Sequence, residues 1–231
     1  YCEIPNLTRG KPEPIDIKLL KKELYFWLEE IVHNNFLSKH TSPGTTFKDI
    51  AFSGNGEPTA AREFAEVTQV VVKAINDYKL VDQLTVRVIT NGSNMTNKSV
   101  QKGWAAIQSI RKEVWFKIDS VMDDEIKLIN QINSSLGVTK NNIEASLSVS
   151  PTIIQTCLIK MNGQLPSNKS INAYIAFLKH YEDRLSGIHL YSLARPSEQN
   201  ISIEIERLTE SELDQIADKI RVLNVPVFAY I

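Results

Sequence analysis

Glu113-Val-Trp-Phe-Lys-Ile-Asp119 predicts a β-strand with two unlike faces. Side chains alternate across a strand, so every second residue shares a face. One face is apolar throughout: Val114, Phe116 and Ile118. The other face carries Trp115, Lys117 and Asp119. We expect the apolar face to meet helices and the mixed face to point into the interior of a barrel, with Lys117 and Asp119 at its mouth.

The same alternation of strands and helices extends over most of the chain. Strands are predicted at 49–53, 84–90, 113–119, 152–161, 187–193 and 225–231. Helices are predicted from Ile17, over 58–76, 100–110, 123–133, 141–150 and 171–178, and from the capping box Thr209-Glu-Ser-Glu212. Strands that alternate with helices imply right-handed crossovers and a parallel sheet. The predicted fold class is α/β, a partial (β/α)6 TIM-type barrel with parallel strands, in a single domain over residues 1–231.

Composition excludes several classes of protein. The chain has 231 residues, 42% hydrophobic and 23% charged, with a formal net charge of −1. These values are ordinary for a globular protein and give no basic excess for general nucleic-acid binding. Two cysteines are too few for a disulfide framework, and no apolar run is long enough to span a bilayer. We therefore expect a cytoplasmic protein without a membrane partner.

The loop Gly54-Asn-Gly-Glu-Pro-Thr59 joins a strand to a helix and is the most informative segment. It lacks the third glycine of a dinucleotide-binding fingerprint, and no Gly-Lys-Ser/Thr follows as in a P-loop. A glutamate argues against phosphate binding. A carboxylate beside open backbone carbonyls suits an ammonium group, such as the α-amine of an amino acid. Ordinary turn chemistry explains the glycines equally well.

This loop and several other strand ends resemble the radical S-adenosylmethionine (radical SAM) enzymes. Phe52-Ser-Gly-Asn-Gly-Glu-Pro-Thr59 is similar to their Gly-Gly-Glu-Pro segment, in the form used by the iron–sulfur oxidoreductase branch. The supporting segments follow in the family's order: Thr90-Asn-Gly92, Trp115-Phe-Lys-Ile-Asp119 and Leu190-Tyr-Ser-Leu-Ala-Arg-Pro196. Tyr1-Cys2 resembles the end of the family's Cys-x-x-x-Cys-x-x-Cys loop.

The resemblance implies two cofactors, a [4Fe–4S] cluster and S-adenosylmethionine (SAM). Reductive cleavage of SAM would give a 5′-deoxyadenosyl radical that abstracts hydrogen from a substrate. The methionine amino group would bind at Gly54, Asn55, Gly56 and Glu57, the ribose near Asp119, and the adenine near Tyr1. Asn91, Lys117 and Arg195 complete the implied cofactor-binding set. Asn55 departs from the commoner motif, which has glycine there.

Cys2 is the implied metal ligand, and the other two cluster cysteines would precede residue 1. The first residue is Tyr1, so we expect a chain truncated inside the cluster loop and inactive as it stands. Implied partners are an electron donor such as flavodoxin or ferredoxin and an unknown substrate, which is a small molecule, a protein or tRNA. The neutral charge disfavours a large RNA footprint.

Two alternatives stay open. A desolvated lysine in a barrel can form a Schiff base, which would make the protein an aldolase-like lyase using Lys117 or Lys160. A non-catalytic barrel that binds a small ligand is the third interpretation. Cys157 lies among Ile and Leu and is expected in the core, as are Trp27 and Trp104.

Overall fold

The structure is a computed structural model that describes residues 10, 12–54, 56–131, 135–198 and 203–231. The helices are Ile17–Val32 (α1), Phe36–His40 (α2), Phe64–Asp77 (α3), Lys98–Ala106 (α4), Asp123–Asn130 (α5), Leu136–Val149 (α6), Asn168–Lys179 (α7) and Glu210–Ile220 (α8). The strands are Asp49–Phe52 (β1), Thr85–Thr90 (β2), Lys112–Lys117 (β3), Thr152–Cys157 (β4), Ile159–Met161 (β5), Gly187–Tyr191 (β6), Ile205–Arg207 (β7) and Val227–Tyr230 (β8).

Six strands form one sheet in the order β1-β2-β3-β4-β6-β8. The pairs β1–β2, β4–β6 and β6–β8 are parallel. The carbonyl of Pro226 accepts a hydrogen bond from Ile188 N just before β8 begins, so this proline sits at the start of the terminal strand of the sheet. The α/β class and the partial (β/α)6 barrel predicted from the sequence are confirmed.

The chain divides into two compact units. The N-terminal unit comprises residues 12–90 and Asn94–Val114, and the C-terminal unit comprises Asn91–Ser93 and Trp115–Ile231. The single domain over residues 1–231 stays a prediction.

In the N-terminal unit, hydrogen bonds fix α1 to α3. Asp16 caps α1 by accepting from Lys18 N and Leu19 N. The Tyr25 hydroxyl donates to Asp77, and the Tyr78 hydroxyl donates to Glu29 at 3.0 Å. This polar seam lies along one side of α1, and Leu28 is the buried residue of the helix.

That arrangement corrects one prediction for α1. Leu28 is buried, whereas Trp27 is 48% exposed and contacts Phe36 edge-on instead of entering the core. Helical spacing alone does not separate the two neighbours, since both lie within the same broad stripe. Trp104 on α4 is 1% exposed, as predicted.

The C-terminal unit confirms the two faces predicted for β3. Phe116 and Ile118 are buried, whereas Trp115, Lys117 and Asp119 are half-buried. The strand β6 repeats the pattern, with Ile188 and Leu190 buried and His189 half-buried. The His189 ring lies 5.0 Å from the Trp115 ring and 5.2 Å from the Tyr230 ring, between centroids. An aromatic surface therefore covers part of the face opposite the buried one.

The predicted strand over 152–161 is two strands. β4 ends at Cys157 in the main sheet, and β5 pairs with β7 in a separate antiparallel sheet. The Ser192 hydroxyl joins the two sheets, since it donates to Leu158 O and accepts from Leu208 N. Lys160 therefore belongs to this small sheet and does not end a strand of the main one.

Other element boundaries also differ from the predictions. Pro58 opens a short 3-10 turn, Pro58–Ala60, and the main helix begins only at Phe64. The sequence did not predict α2 or β7, which are five and three residues long. The capping box at Thr209 is present in both halves.

Candidate cofactor-binding site

Glu57 follows β1 in the glycine-rich loop, and its carboxylate accepts hydrogen bonds from Thr59 and Thr90. The oxygen Oε1 accepts from Thr59 N at 3.1 Å, from the Thr59 hydroxyl at 2.5 Å and from the Thr90 hydroxyl at 2.5 Å. Thr90 is the last residue of β2, so the carboxylate bridges two neighbouring strand ends. Glu57 is thus fixed at the carboxyl edge of the sheet, where ligands of open α/β folds bind.

Backbone conformation favours glycine at one of the two glycine positions of this loop and not at the other. Gly54 has a φ of +141°, a backbone conformation that favours glycine. Gly56 has no such φ, and a Cβ atom added to it would meet no heavy atom within 4 Å. Neither backbone conformation nor packing in the described residues requires glycine at position 56. Asn55 lies outside the described residues.

Asn91 and Gly92 form a tight turn after β2. The Asn91 side-chain oxygen accepts from Ser93 N at 2.9 Å, and Asn91 is exposed. Gly92 has a φ of +75°, and an added Cβ would lie 2.1 Å from Cζ of the Phe116 ring. Glycine is required here for two reasons: the backbone has a positive φ, and the Phe116 ring of β3 packs against the position that a Cβ would occupy.

Asp119 links the end of β3 to two other elements of the C-terminal unit. Its Oδ1 accepts from Cys157 N at 3.0 Å, and its Oδ2 accepts from the Asn130 side chain at 3.1 Å. These contacts fix the carboxylate at the carboxyl ends of β3 and β4. Lys117 is half-buried two residues earlier on the same face of β3.

A polar network that the sequence did not reveal supports the loop after Asp119. Glu125 accepts from the Ser120 hydroxyl at 2.6 Å and also from the Ser170 hydroxyl at the start of α7. Ser120 in turn accepts from Met122 N at 3.1 Å. Glu125 therefore ties the β3–α5 loop to α7. No local spacing signal could have found this pairing, because its partners are 45 residues apart.

The neighbouring Thr156 and Tyr174 are joined in the core by a 2.7 Å hydrogen bond between hydroxyls. Burial, together with the Asp119 charge, raises the pKa of Tyr174 well above its usual value. Tyr174 therefore stays protonated and acts as a structural donor or acceptor.

Cys157 is a buried free cysteine at the end of β4. Burial raises the pKa of its thiol, and the nearby Asp119 charge raises it further. A neutral thiol packed with Ile129, Ile159 and Leu193 is a core residue, as the sequence predicted.

A cavity of about 40 Å³ lies beside Asp119, between the end of β4 and the helices α5, α7 and α8. Its walls are mostly aliphatic, from residues such as Ile129, Leu158 and Ile216. At ~10–15 Å³ for each water molecule, this volume holds a few waters and no nucleotide. The cavity is therefore not where SAM would bind.

The remaining predicted site residues are exposed or lie outside the part of the chain that the structure describes. Arg195 is exposed in the turn after β6. Tyr1 and Cys2 lie outside the described residues. Among the described residues, no three His, Cys, Asp or Glu side chains cluster as metal ligands would. In the same part of the chain, no helix combines the length and apolarity needed to cross a bilayer.

Lys160, one of the two lysines of the aldolase-like alternative, lies in the small sheet. Its Nζ lies 2.9 Å from Glu212 Oε1, and both side chains are half-buried. This ion pair joins β5 to α8. The lysine alternative stays a prediction.

Solved structures share this fold. A domain of pyruvate-formate lyase-activating enzyme from Bacteroides vulgatus matches 79% of this chain and 98% of its own, with a TM-score of 0.56 and 14% identity. A radical SAM methyltransferase from Sphaerobacter thermophilus matches 91% of this chain, with a TM-score of 0.52 and 13% identity, and the match spans 57% of the methyltransferase chain. Neither a protein-family model nor a curated protein sequence matches the chain. These likenesses show that the chain shares its α/β fold with both proteins.

Proposed function

We propose that the protein is a radical SAM enzyme that binds SAM at the carboxyl edge of its sheet. The observation that carries this proposal is the Glu57 carboxylate, which Thr59 and Thr90 hold at the carboxyl ends of β1 and β2. A fixed carboxylate and exposed loop backbone suit the ammonium end of an amino acid. The shared fold supports the proposal, since one of the two similar structures is that of a radical SAM methyltransferase.

The residues predicted from the sequence take the following roles in this proposal. Gly54, Asn55, Gly56 and Glu57 hold the methionine amino group, and Asp119 contacts the ribose. Tyr1 lies near the adenine, and Cys2 is one thiolate ligand of a [4Fe–4S] cluster. Asn91, Lys117 and Arg195 contact other polar parts of SAM or of the substrate.

The two cofactors supply the difficult chemistry, which is one-electron cleavage of SAM to methionine and a 5′-deoxyadenosyl radical. The protein contributes binding and orientation. Glu57 fixes one end of SAM through its charge, and Asp119 is held in place by the backbone of Cys157. A reduced flavodoxin or ferredoxin provides the electron. The half-buried face of β3 and β6, with Trp115 and His189, faces the substrate.

The proposal is tested by SAM binding to Glu57→Gln and Glu66→Gln variants, compared by isothermal titration calorimetry. The protein is expressed from its complete coding sequence and reconstituted with iron and sulfide without oxygen. Loss of a charged hydrogen-bond acceptor costs about 1.5–3 kcal/mol, so Glu57→Gln should weaken SAM binding by about 10-fold or more. Glu66 is exposed on α3, and its variant changes net charge equally without changing the loop. Equal affinities for the two variants would contradict the proposed site.

A further inference from the structure

The hydroxyls of Thr90 and Thr59, both buried residues, donate hydrogen bonds to the same carboxylate oxygen. Thr90 is 1% exposed and Thr59 is 3% exposed, and both hydroxyls lie 2.5 Å from Glu57 Oε1. The Thr59 backbone N–H adds a third hydrogen bond to the same oxygen. The backbone donor makes the cap of the 3-10 turn, and the two hydroxyls add two hydrogen bonds to the capping oxygen.

The two threonines are themselves held rigidly. Thr90 ends a strand whose earlier residues pair in register with β1, from Thr85 opposite Asp49 to Val88 opposite Phe52. Thr59 lies in the turn that Ala60 N closes by donating to Glu57 O at 2.9 Å. Their hydroxyls are thus fixed relative to the strand ends and to the Glu57 backbone.

A glutamate side chain in a loop normally samples several rotamers, and fixing it costs about 1.5–2 kcal/mol of conformational entropy. In this protein that entropy is lost during folding, because hydrogen bonds from Thr59 and Thr90 restrict the torsions of Glu57 before any ligand binds. The three hydrogen bonds therefore restrict the Glu57 side chain through the position of Oε1. Preorganisation of this kind raises affinity by lowering the cost of binding.

We propose that Thr90 and Thr59 are positioning residues that aim the Glu57 carboxylate at the ammonium group of SAM. This inference rests on the proposed function. Thr90 acts through Glu57 and does not touch SAM. The hydroxyl groups should therefore affect only those ligands that carry the amino group.

The test compares two ligands and two substitutions at one position. The ligands are SAM and 5′-deoxy-5′-(dimethylsulfonio)adenosine, which keeps the sulfonium and the nucleoside but lacks the amino and carboxylate groups. Thr90→Val removes the hydroxyl at nearly constant volume, and Thr90→Ser restores it. Dissociation constants are measured by calorimetry on the reconstituted protein expressed from its complete coding sequence.

Thr90→Val should weaken SAM binding by about 5- to 20-fold, because part of the side-chain entropy of Glu57 would then be lost on binding, and it should leave the analogue within 2-fold. Thr90→Ser should restore SAM affinity to within about 3-fold of the wild type. Equal weakening of both ligands would reduce Thr90 to general structural support and overturn the inference. Unchanged SAM affinity would overturn it too.

Two further measurements keep these outcomes distinct. Failure of the wild type to bind SAM contradicts the proposed function itself, whereas wild-type binding without ligand discrimination at Thr90 contradicts only the positioning role. If Thr90→Val does not fold, Thr59→Val is used, because it keeps the backbone donor to Glu57 and removes the other hydroxyl. It should show the same selective loss for SAM, and equal loss for both ligands would again refute the inference.

Discussion

Replacement of Gly92 by alanine should destabilise the protein much more than the same replacement at Gly44. An added Cβ at Gly92 would lie 2.1, 2.3 and 2.9 Å from three carbons of the Phe116 ring, against about 3.5–4.0 Å for ordinary contact. Phe116 is 1% exposed, so its ring has little room to move. Overpacking of this kind costs about 1–3 kcal/mol, and the φ of +75° adds about 1–2 kcal/mol.

Gly44 provides the matched control. It has a φ of +84°, but an added Cβ there meets nothing within 4 Å. Gly44→Ala should therefore cost only the backbone component, about 1–2 kcal/mol, whereas Gly92→Ala should cost about 2–5 kcal/mol. Urea unfolding followed by circular dichroism measures both values. Free energies of unfolding that differ by less than about 0.5 kcal/mol would refute the packing argument.

A second substitution separates the clash from the backbone effect. In the Gly92→Ala/Phe116→Leu double variant, the smaller side chain should relieve the overpacking, so the alanine should cost less than it does in the wild type. Strict additivity of the two changes would show that the Phe116 ring is not the obstacle.

Three other predictions follow from single residues. Gly56→Ala should leave the free energy of unfolding within about 0.5 kcal/mol of the wild type and yet weaken SAM binding in calorimetry; a large loss of stability without loss of affinity would contradict the open space at this position. Lys160 and the backbone of Thr209 lower the pKa of Glu212 from 4.5 to about 2, so the contribution of Glu212 to stability is present above pH 4.5 and is lost as the pH falls towards 2. Glu212→Gln should therefore flatten that part of the acid unfolding profile, and an unchanged profile would contradict this prediction. Burial and the hydrogen bond to Asp77 raise the pKa of Tyr25 to about 12, so the contribution of Tyr25 to stability is present below pH 10 and is lost as the pH rises towards 12. Tyr25→Phe should flatten this alkaline dependence of the unfolding midpoint, and an equally steep loss of stability in the variant would show that Tyr25 is not its cause.

The sequence predicted those features of the fold that depend on periodicity. On β3, the alternation of Phe116 and Ile118 with Trp115 and Lys117 predicted which face is buried, because side chains alternate across a strand and only one face of this strand is apolar throughout. The capping box at Thr209 predicted the start of α8 for an equally local reason.

Features that depend on contacts between distant residues were not predicted. Nothing near Glu57 indicates that Thr90, 33 residues later, donates to its carboxylate. The division of 152–161 into β4 and β5 likewise requires β7, which is only three residues long. Such short elements carry no periodic signal, and their pairing is decided by tertiary structure.

The same limit applies to Trp27. Its position in the helical pattern is apolar, but the hydrogen bonds of Tyr25 and Tyr78 place the seam between α1 and α3 to one side of it. Burial at the edge of an apolar stripe depends on how the neighbouring helix packs, which the sequence of one helix does not contain.

The most direct test of the proposed function is the fate of SAM under reducing conditions. The protein, expressed from its complete coding sequence and reconstituted with iron and sulfide, is incubated anaerobically with SAM and dithionite, and the nucleosides are separated by liquid chromatography. The proposed function predicts methionine together with an equal amount of 5′-deoxyadenosine, for which the radical takes a hydrogen atom from the buffer or the protein because no substrate is present. Intact SAM after reduction of a protein that carries its iron–sulfur absorbance would contradict it.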